Sequence, residues 1–545
     1  MNKIEYEKLG VMIDMSRNAV MNMDALKRYM DDLQMMGYNC VFLYTEDTYE
    51  VDGEPLFGYM RSRYSKAELK DLDAYAAERG IELIPCVQTL AHFDAFLHWE
   101  SVKSDVRGGN IILVDDDRTY EFIENLVKSL RECFRTEYIH IGMDEAHMLG
   151  RGKHLDLHGY ESATVLMKRH LAKVNEIVKQ YDFKPMIWSD MFFRAICDDK
   201  YYVPKIQFPR EVVESIPENV IPVYWDYYQE DPQVYDDMMY NHEQLSDKTW
   251  FAGGAWSWYG LVPFNRFTIE SMLPALDACK KHKIKNVFMT MWGDDGAECS
   301  HFSQLPSLFY LAEYAKGNTD EAKIKAKFKR LTGIDYDKFM LLDSPNEILG
   351  YSGRPLNPSK YMLYSDYFLD FLDYSVKPGA GEKYKELATE LHAIAKTSRK
   401  YGYLFDTEAK LCDALAIKYE LGLKTRRAYE AGDKAELERL AKNEYVQVEK
   451  LLRIFGKAFE KQWFKENKTH GFDIQDHRIG SIVYRTDACR RRLLDYVNGK
   501  IDKIEEFEEA ILPLPYAKNP EESMCVNNAN LYSSTNLFAM MSLPL

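Results

Sequence analysis

Residues 65–87, SKAELKDLDAYAAERGIELIPCV, contain one complete unit of a helix followed by a strand. Ser65 and Glu68 form a capping box, apolar residues then recur at helical spacing, and Gly80 stands where the helix would end. The run that follows is short and mostly apolar, as in a parallel strand that is covered on both faces. This stretch predicts an α/β fold.

The same unit recurs throughout the first 300 residues. Helical spacing of apolar residues also appears at 24–36 and 162–181. The predicted strands are residues 10–15, 40–44, 81–87, 138–142, 185–189, 220–225, 250–255 and 286–292. Eight strands separated by helices predict a closed (β/α)8 TIM barrel, with its active site at the C-terminal ends of the strands. An open, doubly wound sheet is the alternative, although no glycine-rich phosphate loop follows the first strand.

The pattern changes after about residue 318, where strand signals nearly vanish. Long amphipathic helices are predicted over residues 319–331, 383–396, 407–430, 434–455 and 473–497. We therefore expect a catalytic barrel over residues 1–317 and an α-helical domain over residues 318–545. The helical domain would pack on the barrel or mediate formation of a homodimer.

Composition limits the partners and the compartment. With 70 Lys and Arg against 86 Asp and Glu, the net charge is −16, which argues against nucleic acid or an anionic membrane as the main partner. We see no signal peptide and no apolar run long enough to span a bilayer. The nine cysteines are scattered and form no CxxC motif, which predicts reduced thiols in a cytoplasmic protein. No Walker-type loop or GxSxG motif occurs, and we expect no cofactor and no metal.

Polar and aromatic side chains follow every predicted strand. In strand order they are Asp14 and Arg17; Glu46 and Asp47; Gln88 and His92; His140, Asp144 and Glu145; Trp188 and Asp190; Trp225, Asp226 and Tyr227; Trp256, Trp258 and Tyr259; Trp292, Asp294 and Asp295. In a barrel these residues share one rim. Indole rings beside carboxylates suit a sugar, whose C–H faces stack on the rings while its hydroxyls bond to the acids.

The most specific element of the rim is residues 138–145, YIHIGMDE. Two adjacent carboxylates, Asp144 and Glu145, follow a buried strand at an exit that contains a glycine. Like charges held together in an apolar pocket separate their pKa values, leaving a protonated acid beside a carboxylate. Cleavage of a glycosidic bond requires that pair of protonation states.

This run resembles the His-x-Gly-Gly-Asp-Glu signature of the family 20 glycoside hydrolases, the β-N-acetylhexosaminidases. Residues 83–92, LIPCVQTLAH, are similar to the hexosaminidase-D-type and intracellular bacterial branch, and LYTEDTYE (43–50) and GVMIDMSR (10–17) fit as well. The resemblance covers roughly residues 8–300. Two positions depart from the family pattern, because Met143 replaces the second glycine and Leu9 replaces an arginine before the first-strand glycine. The preference between GlcNAc and GalNAc therefore stays open.

The resemblance implies roles for individual residues. Glu145 would be the general acid and base, and Asp144 would hold the acetamido group of the substrate. The supporting or pocket-shaping residues would be His92 and His140, with Asp47 as an acid beside the substrate or behind the residues that contact it. The walls would be Trp188, Trp225 and Trp292, to which the aromatic rim adds Trp256. Tyr227, or as second choice Tyr259, would bind the acetamido carbonyl, and Asp294 would bind sugar hydroxyls.

The implied activity is exo-acting, retaining and substrate-assisted: the acetamido oxygen attacks C1 to form an oxazolinium ion. The implied substrate is an oligosaccharide or glycoconjugate that ends in β-GlcNAc or β-GalNAc. A conventional double displacement is the alternative, with Asp226 or Asp294 as nucleophile, although the seventh-strand exit AGGAWSWYG (252–260) contains no acid. A second alternative function is that of a sugar-binding barrel without catalysis. A third alternative is a zinc hydrolase that uses His147, His154, Asp156 and His158 as metal ligands.

Overall fold

The computed structural model describes residues 6–348, 350, 356–369 and 371–512. Eight parallel strands close a barrel in chain order, with β1 paired to both β2 and β8. The strands are β1 (Lys8–Asp14), β2 (Cys40–Tyr44), β3 (Glu82–Cys86), β4 (Tyr138–His140), β5 (Lys184–Trp188), β6 (Ile221–Trp225), β7 (Trp250–Gly254) and β8 (Asn286–Met291). The predicted barrel and each of its strands are confirmed, with small differences at the strand ends. Because all strands run the same way, their C-terminal ends share one face.

Strand β4 is shorter than predicted, and the difference lies at the carboxylate motif. The strand ends at His140, because Gly142, Met143 and Glu145 adopt positive φ angles of 70°, 72° and 53°. The backbone therefore leaves the sheet before the two acids. This turn breaks the alternation of side chains that a regular strand would impose on neighbouring residues.

The barrel helices follow the local signals in the sequence. The capping box of Ser65 and Glu68 is present, Ser162 caps the helix predicted at 162–181, and Gly37 ends the first helix at φ 97°. These helices are α1 (Met23–Met36), α2 (Lys66–Glu78), α3 (Asp94–Leu97), α4 (Asp117–Arg131), α5 (Lys153–His158), α6 (Ala163–Gln180), α7 (Asp190–Arg194), α8 (Arg210–Val213), α9 (Pro232–Glu243), α10 (Asn265–Lys281) and α11 (Leu305–Ala315).

The region after the barrel is helical. Its helices are α12 (Glu321–Thr332), α13 (Tyr336–Phe339), α14 (Pro358–Tyr364), α15 (Ala380–Ala395), α16 (Gly402–Glu430), α17 (Lys434–Lys442), α18 (Glu444–Glu466), α19 (Phe472–Val497) and α20 (Glu505–Glu508); short 3-10 segments are His301–Gln304, Met340–Asn346 and Phe371–Ser375. Residues 513–545 of the predicted helical domain lie outside the described part. No helix among the described residues is both long and apolar enough to cross a membrane.

One predicted helix is wrong in extent. The stretch 434–455 is interrupted at Asn443, which separates α17 from α18. Helix α17 packs mainly against α19 and less extensively against α16, whereas α18 packs extensively against both α16 and α19. The chain changes direction at Asn443 so that both helices bury their apolar faces, a tertiary effect that helical spacing alone does not reveal.

Candidate active site

A pocket opens at the C-terminal face of the barrel. Six strands supply its walls, which are Arg17, His92, Asp144, Glu145, Trp188, Trp225, Tyr227, Tyr228, Trp292 and Asp294. A larger cavity, of about 800 Å³, lies in the helical region between Arg426 and Phe507. None of its described wall residues, which end at Ile511, follows a barrel strand. The barrel pocket, which collects the adjacent carboxylates, is therefore the candidate active site.

Asp144 is a buried carboxylate that is fixed on two sides. The Gln88 amide donates a hydrogen bond to its Oδ1 at 2.9 Å, and His92 Nε2 lies 3.2 Å from its Oδ2. Gln88 is oriented in turn by the backbone N–H of Met143, which donates to its Oε1 at 3.2 Å. Burial opposes ionisation of Asp144, but His92 and Gln88 outweigh it and hold its pKa below the usual range. Asp144 is thus an oriented anion.

The two histidines near Asp144 differ in protonation at neutral pH: His92 is protonated and His140 is neutral. Burial would lower the pKa of His92, but the charge of Asp144 outweighs it and raises the pKa to about 9. Burial lowers the pKa of His140 to about 3. The backbone N–H of Gly142 donates to His140 Nδ1 at 3.2 Å, which assigns the ring proton to Nε2. His140 packs under Trp188, with ring centroids 4.2 Å apart, and supports that wall from below.

Glu145 differs from its neighbour in exposure. Its side chain is 43% exposed, against 12% for Asp144, and its Oε2 lies 3.7 Å from His92 Nε2. Asp190, at the exit of β5, accepts a hydrogen bond from the backbone N–H of Glu145 at 3.2 Å and one from Arg194 Nε at 3.1 Å. These contacts hold the Glu145 backbone while its carboxyl group stays open to the pocket.

Aromatic rings form the remaining walls beside the acids. Trp225 and Tyr227 are stacked with centroids 5.4 Å apart, and Trp188 and Trp292 lie 6.2 Å apart. Trp225, Tyr227 and Trp292 are each less than 10% exposed, and Trp188 is fully buried. The enclosure therefore combines aromatic walls with two sets of charged groups, Asp144 with Glu145 and His92, and Arg17 with Asp294.

Arg17 occupies the wall next to Trp292. Its guanidinium lies 5.0 Å from the centroid of the Trp292 ring, and Nη1 donates to Asp14 Oδ2 at 3.2 Å. The same guanidinium is 3.5 Å from Glu46 and 3.8 Å from Asp294. Leu9, where an arginine was expected from the family pattern, is fully buried in the barrel. A guanidinium is therefore present in the pocket, but it comes from the end of the GVMIDMSR segment.

Five sequence-predicted site residues do not line this pocket. His140 lies beneath it, and Asp47 pairs with Arg61 at 2.9 Å. Asp226 is buried, accepts hydrogen bonds from the Tyr224 hydroxyl at 2.8 Å and the Tyr228 N–H at 3.1 Å, and holds the β6 turn. The indole of Trp256 is buried and donates to the Tyr227 carbonyl at 2.6 Å. Tyr259 packs on Trp256, with ring centroids 5.1 Å apart.

Other residues of the site were expected on the rim or near it but were assigned no function from the sequence. Arg17, Gln88 and Asp190 were placed on the rim by their position after a strand, and the same signal identifies Glu46 beside Asp47. Tyr228 lines the pocket although it lies one residue beyond the rim set. Four residues here hold positive φ angles that non-glycine residues rarely adopt: Glu46 (42°), His92 (59°), Met143 (72°) and Glu145 (53°). Strained backbone of this kind is concentrated at functional sites.

Within the described part of the chain, two groups of side chains have the composition of a metal site. The first, His92, Asp144 and Glu145, is the pocket itself. The second joins His154 to Asp115 and Glu161 rather than to His147 or Asp156. Arg169 donates to both of those carboxylates, at 2.5 to 2.9 Å, and Lys173 Nζ lies 2.9 Å from Asp115, so two cations already pair with the two acids. His158 contributes a ring contact to His154, with centroids 4.8 Å apart.

Comparison with known proteins gives the family. The family model of the glycosyl hydrolase family 20 catalytic domain matches residues 6–231 of the sequence. The family model of the glycoside hydrolase 20C C-terminal domain matches residues 337–526. Among curated proteins, hexosaminidase D of Bos taurus is 23% identical over 201 residues, which is 35% of this chain and 55% of that protein. Beta-hexosaminidase A of Caenorhabditis briggsae is 25% identical over 230 residues, 36% of this chain and 41% of that protein.

Among solved structures, a GH20 exo β-N-acetylglucosaminidase from Vibrio harveyi matches with a TM-score of 0.46 and 14% identity, covering 62% of this chain and 58% of that one. The chain spans about half the length of the curated relatives it matches. The two family models together cover the barrel through β6 and most of the helical region, each on its own part of the chain. The chain belongs to glycoside hydrolase family 20.

Proposed function

We propose that this protein is an exo-acting, retaining β-N-acetylhexosaminidase that removes terminal β-linked GlcNAc or GalNAc from an oligosaccharide or glycoconjugate. The observation that carries the proposal is the asymmetry of the adjacent acids. Asp144 is buried, oriented and ionised, whereas Glu145 is exposed to the pocket. One acid is thus suited to binding a positively charged group and the other to exchanging protons.

The reaction follows from these two environments. Glu145 protonates the glycosidic oxygen while the acetamido oxygen of the substrate attacks C1. Asp144 accepts the acetamido N–H and stabilises the positive charge that develops as the oxazolinium ion forms. Glu145 then removes a proton from the water that opens this ion, which restores the original configuration. Because the nucleophile is already attached to the sugar, an effective molarity on the order of 10⁵ M removes roughly 7 kcal/mol from the barrier.

The aromatic enclosure supports the assisted reaction. Trp188, Trp225 and Trp292 would surround the acetamido group, and Tyr227, which lies beside Trp292 and Thr290, would donate to its carbonyl oxygen. Tyr227 is preferred over Tyr259 because it lines the pocket. An enclosed acetamido group is held close to C1 and shielded from water.

Strand β7 disfavours a conventional nucleophile. A side chain on Gly254 would bring its Cβ to 2.9 Å from the Tyr227 Cβ and 3.0 Å from the Trp258 ring, so this strand end has no room for an acid. Asp226 is buried against Tyr224 and does not line the pocket. Asp294 lines the pocket beside Arg17, and we assign this pair to the recognition of sugar hydroxyls.

A paired-substrate assay tests the proposal. 4-Nitrophenyl β-GlcNAc and β-GalNAc should be cleaved in EDTA, whereas 4-nitrophenyl β-glucoside, which lacks the acetamide, should be nearly inert. Equal turnover of the glucoside would favour double displacement, and tight sugar binding without turnover would favour a sugar-binding barrel. Loss of activity in EDTA that zinc restores would favour a metal hydrolase. The homodimer and the cytoplasmic location remain separate predictions, checked by light scattering and cell fractionation.

A further inference from the structure

The loop that follows β8 carries two pocket residues, Trp292 and Asp294, and is held from outside the barrel. Arg478 Nη1, on α19, donates to the Asp295 carbonyl at 2.8 Å, and Gln475 Nε2, one turn earlier, donates to the Gly296 carbonyl at 2.9 Å. These carbonyls immediately follow Asp294 in the chain. The helical region therefore fixes the backbone on which Asp294 sits.

A buried group of charges reinforces this contact. Glu298, at the end of the same loop, pairs with Arg478 at 2.8 Å and with Lys360 of α14 at 2.8 Å, and all three side chains are fully buried. Lys360 Nζ also lies 3.3 Å from the Asp295 carbonyl. Burying charged groups requires close pairing and specific geometry. Two separate helices of the helical region thus converge on one barrel loop.

The loop backbone is shaped to receive the guanidinium. Gly296 has φ 100°, and a Cβ on it would lie 2.4 Å from Arg478 Nη1. A side chain at this position would displace the arginine. The guanidinium therefore packs directly against bare backbone next to Asp294.

The same part of the helical region holds the neighbouring loop, which carries Arg17. Asn18 Nδ2 donates to the Gly471 carbonyl at 2.8 Å and lies 3.3 Å from the Gly296 carbonyl. The backbone N–H of Lys468 donates to the Val20 carbonyl at 2.7 Å. Residues 466–478 consequently contact both loops whose side chains, Arg17 and Asp294, meet at 3.8 Å.

We propose that Arg478 is a positioning residue for sugar recognition: by fixing the β8 loop, it sets the position from which Asp294 and Arg17 bind the hydroxyls of the terminal sugar. This inference rests on the proposed function. Asp294 is about half exposed, and its ion pair with Arg17 is long, at 3.8 Å. Its orientation therefore depends on the backbone of its loop. The helical region would then contribute to specificity without contacting substrate.

Arg478→Gln tests the proposal, with three substrates: 4-nitrophenyl β-GlcNAc and its 4-deoxy and 6-deoxy analogues. The variant should lower kcat/KM for the full sugar by about ten- to a hundredfold, the range of a lost hydrogen bond to a charged group. It should change kcat/KM by less than about threefold for the analogue that lacks the hydroxyl bound by Asp294. Asp294→Asn should show the same selectivity, and the double variant should be no worse than the poorer single variant.

Arg485→Gln is the matched control, because Arg485 is on the same helix and pairs with Asp366 at 2.7 Å, away from the β8 loop. It should lower thermal stability without separating the three substrates. If Arg478→Gln does not fold, Gln475→Ala, which removes one neutral hydrogen bond, replaces it. This variant should lower kcat/KM about threefold for the full sugar and leave it unchanged for the analogue that lacks the hydroxyl bound by Asp294. Equal loss on all three substrates, or no loss, would overturn the positioning role while hydrolysis by the wild type upholds the proposed function. A wild type that cleaves none of them would overturn both.

Discussion

Replacing Asp144 by Asn should deprotonate His92 at neutral pH. The pKa of His92 is raised from 6.5 to about 9 by the adjacent Asp144 anion, against the effect of burial. That difference corresponds to about 3 kcal/mol in favour of the protonated ring. In Asp144→Asn the charge is gone while the burial remains, so the pKa of His92 should fall to 6.5 or below.

The sign of the pH dependence follows from the same shift. His92 binds its proton more tightly in the folded protein, so the stabilisation is complete below pH 6.5 and is lost as the pH rises through 9. Asp144, whose pKa is lowered, contributes stability above 3.8 that is lost as the pH falls through its folded pKa. The wild type should therefore lose up to about 3 kcal/mol of stability between pH 6.5 and 9, and Asp144→Asn should not.

The same change should also slow the reaction. An amide at position 144 has no charge to offset the developing oxazolinium, and an interaction of about 1.5 to 3 kcal/mol corresponds to a loss in kcat of about ten- to a hundredfold. Histidine side-chain NMR, assigned with His92→Asn, would follow the pKa, and 4-nitrophenyl β-GlcNAc would follow kcat. Asp47→Asn is the control, since Asp47 pairs with Arg61 and should leave the pKa of His92 unchanged. An unshifted His92 in Asp144→Asn would refute this account of the pair.

Three further substitutions examine other parts of the pocket. Glu145→Gln should keep a native circular-dichroism spectrum yet lower kcat by about 10²- to 10⁴-fold, with the largest loss for poor leaving groups; uniform loss across leaving groups would contradict a general-acid role. Tyr227→Phe should lower kcat about tenfold on acetamido substrates, whereas the same loss for Tyr259→Phe would reassign the carbonyl contact. Met143→Gly relieves a left-handed backbone worth about 1–2 kcal/mol but removes a fully buried side chain worth about 2–5 kcal/mol. It should therefore lower the melting temperature, and a rise would show that the strain dominates.

Local signals were sufficient to predict the barrel. Each strand is an apolar run bounded by helices with their own caps, such as Ser65 and Ser162, so the period of the sequence identifies each element. The interruption at Asn443 was not predictable in this way, because it depends on which helices α17 and α18 pack against. In this chain, local sequence determines whether a segment is a helix or a strand, whereas tertiary packing determines where that segment ends.

In the candidate site, too, some residues were predictable from local sequence and others depend on tertiary contacts. Position after a strand brought Asp144, Glu145 and His92 to one rim, since parallel strands share a C-terminal face. The choice between the adjacent acids Glu46 and Asp47 depends on Arg61, fourteen residues downstream of Asp47, which pairs with Asp47 and leaves Glu46 beside Arg17. The contact of Arg478 with the β8 loop joins positions about 180 residues apart. No spacing within a single segment encodes such contacts.

The left-handed backbone of Glu46, His92, Met143 and Glu145 has a consequence for laboratory evolution. Glycine would relieve this strain at Glu46, His92 and Glu145, yet these three side chains are ionisable groups in or beside the pocket, and at Met143 the loss of a buried side chain outweighs the gain. Mutants that gain melting temperature there should lose turnover, a direct stability–activity trade-off. A campaign toward an industrial catalyst should therefore hold these four codons fixed and diversify the outer helices instead.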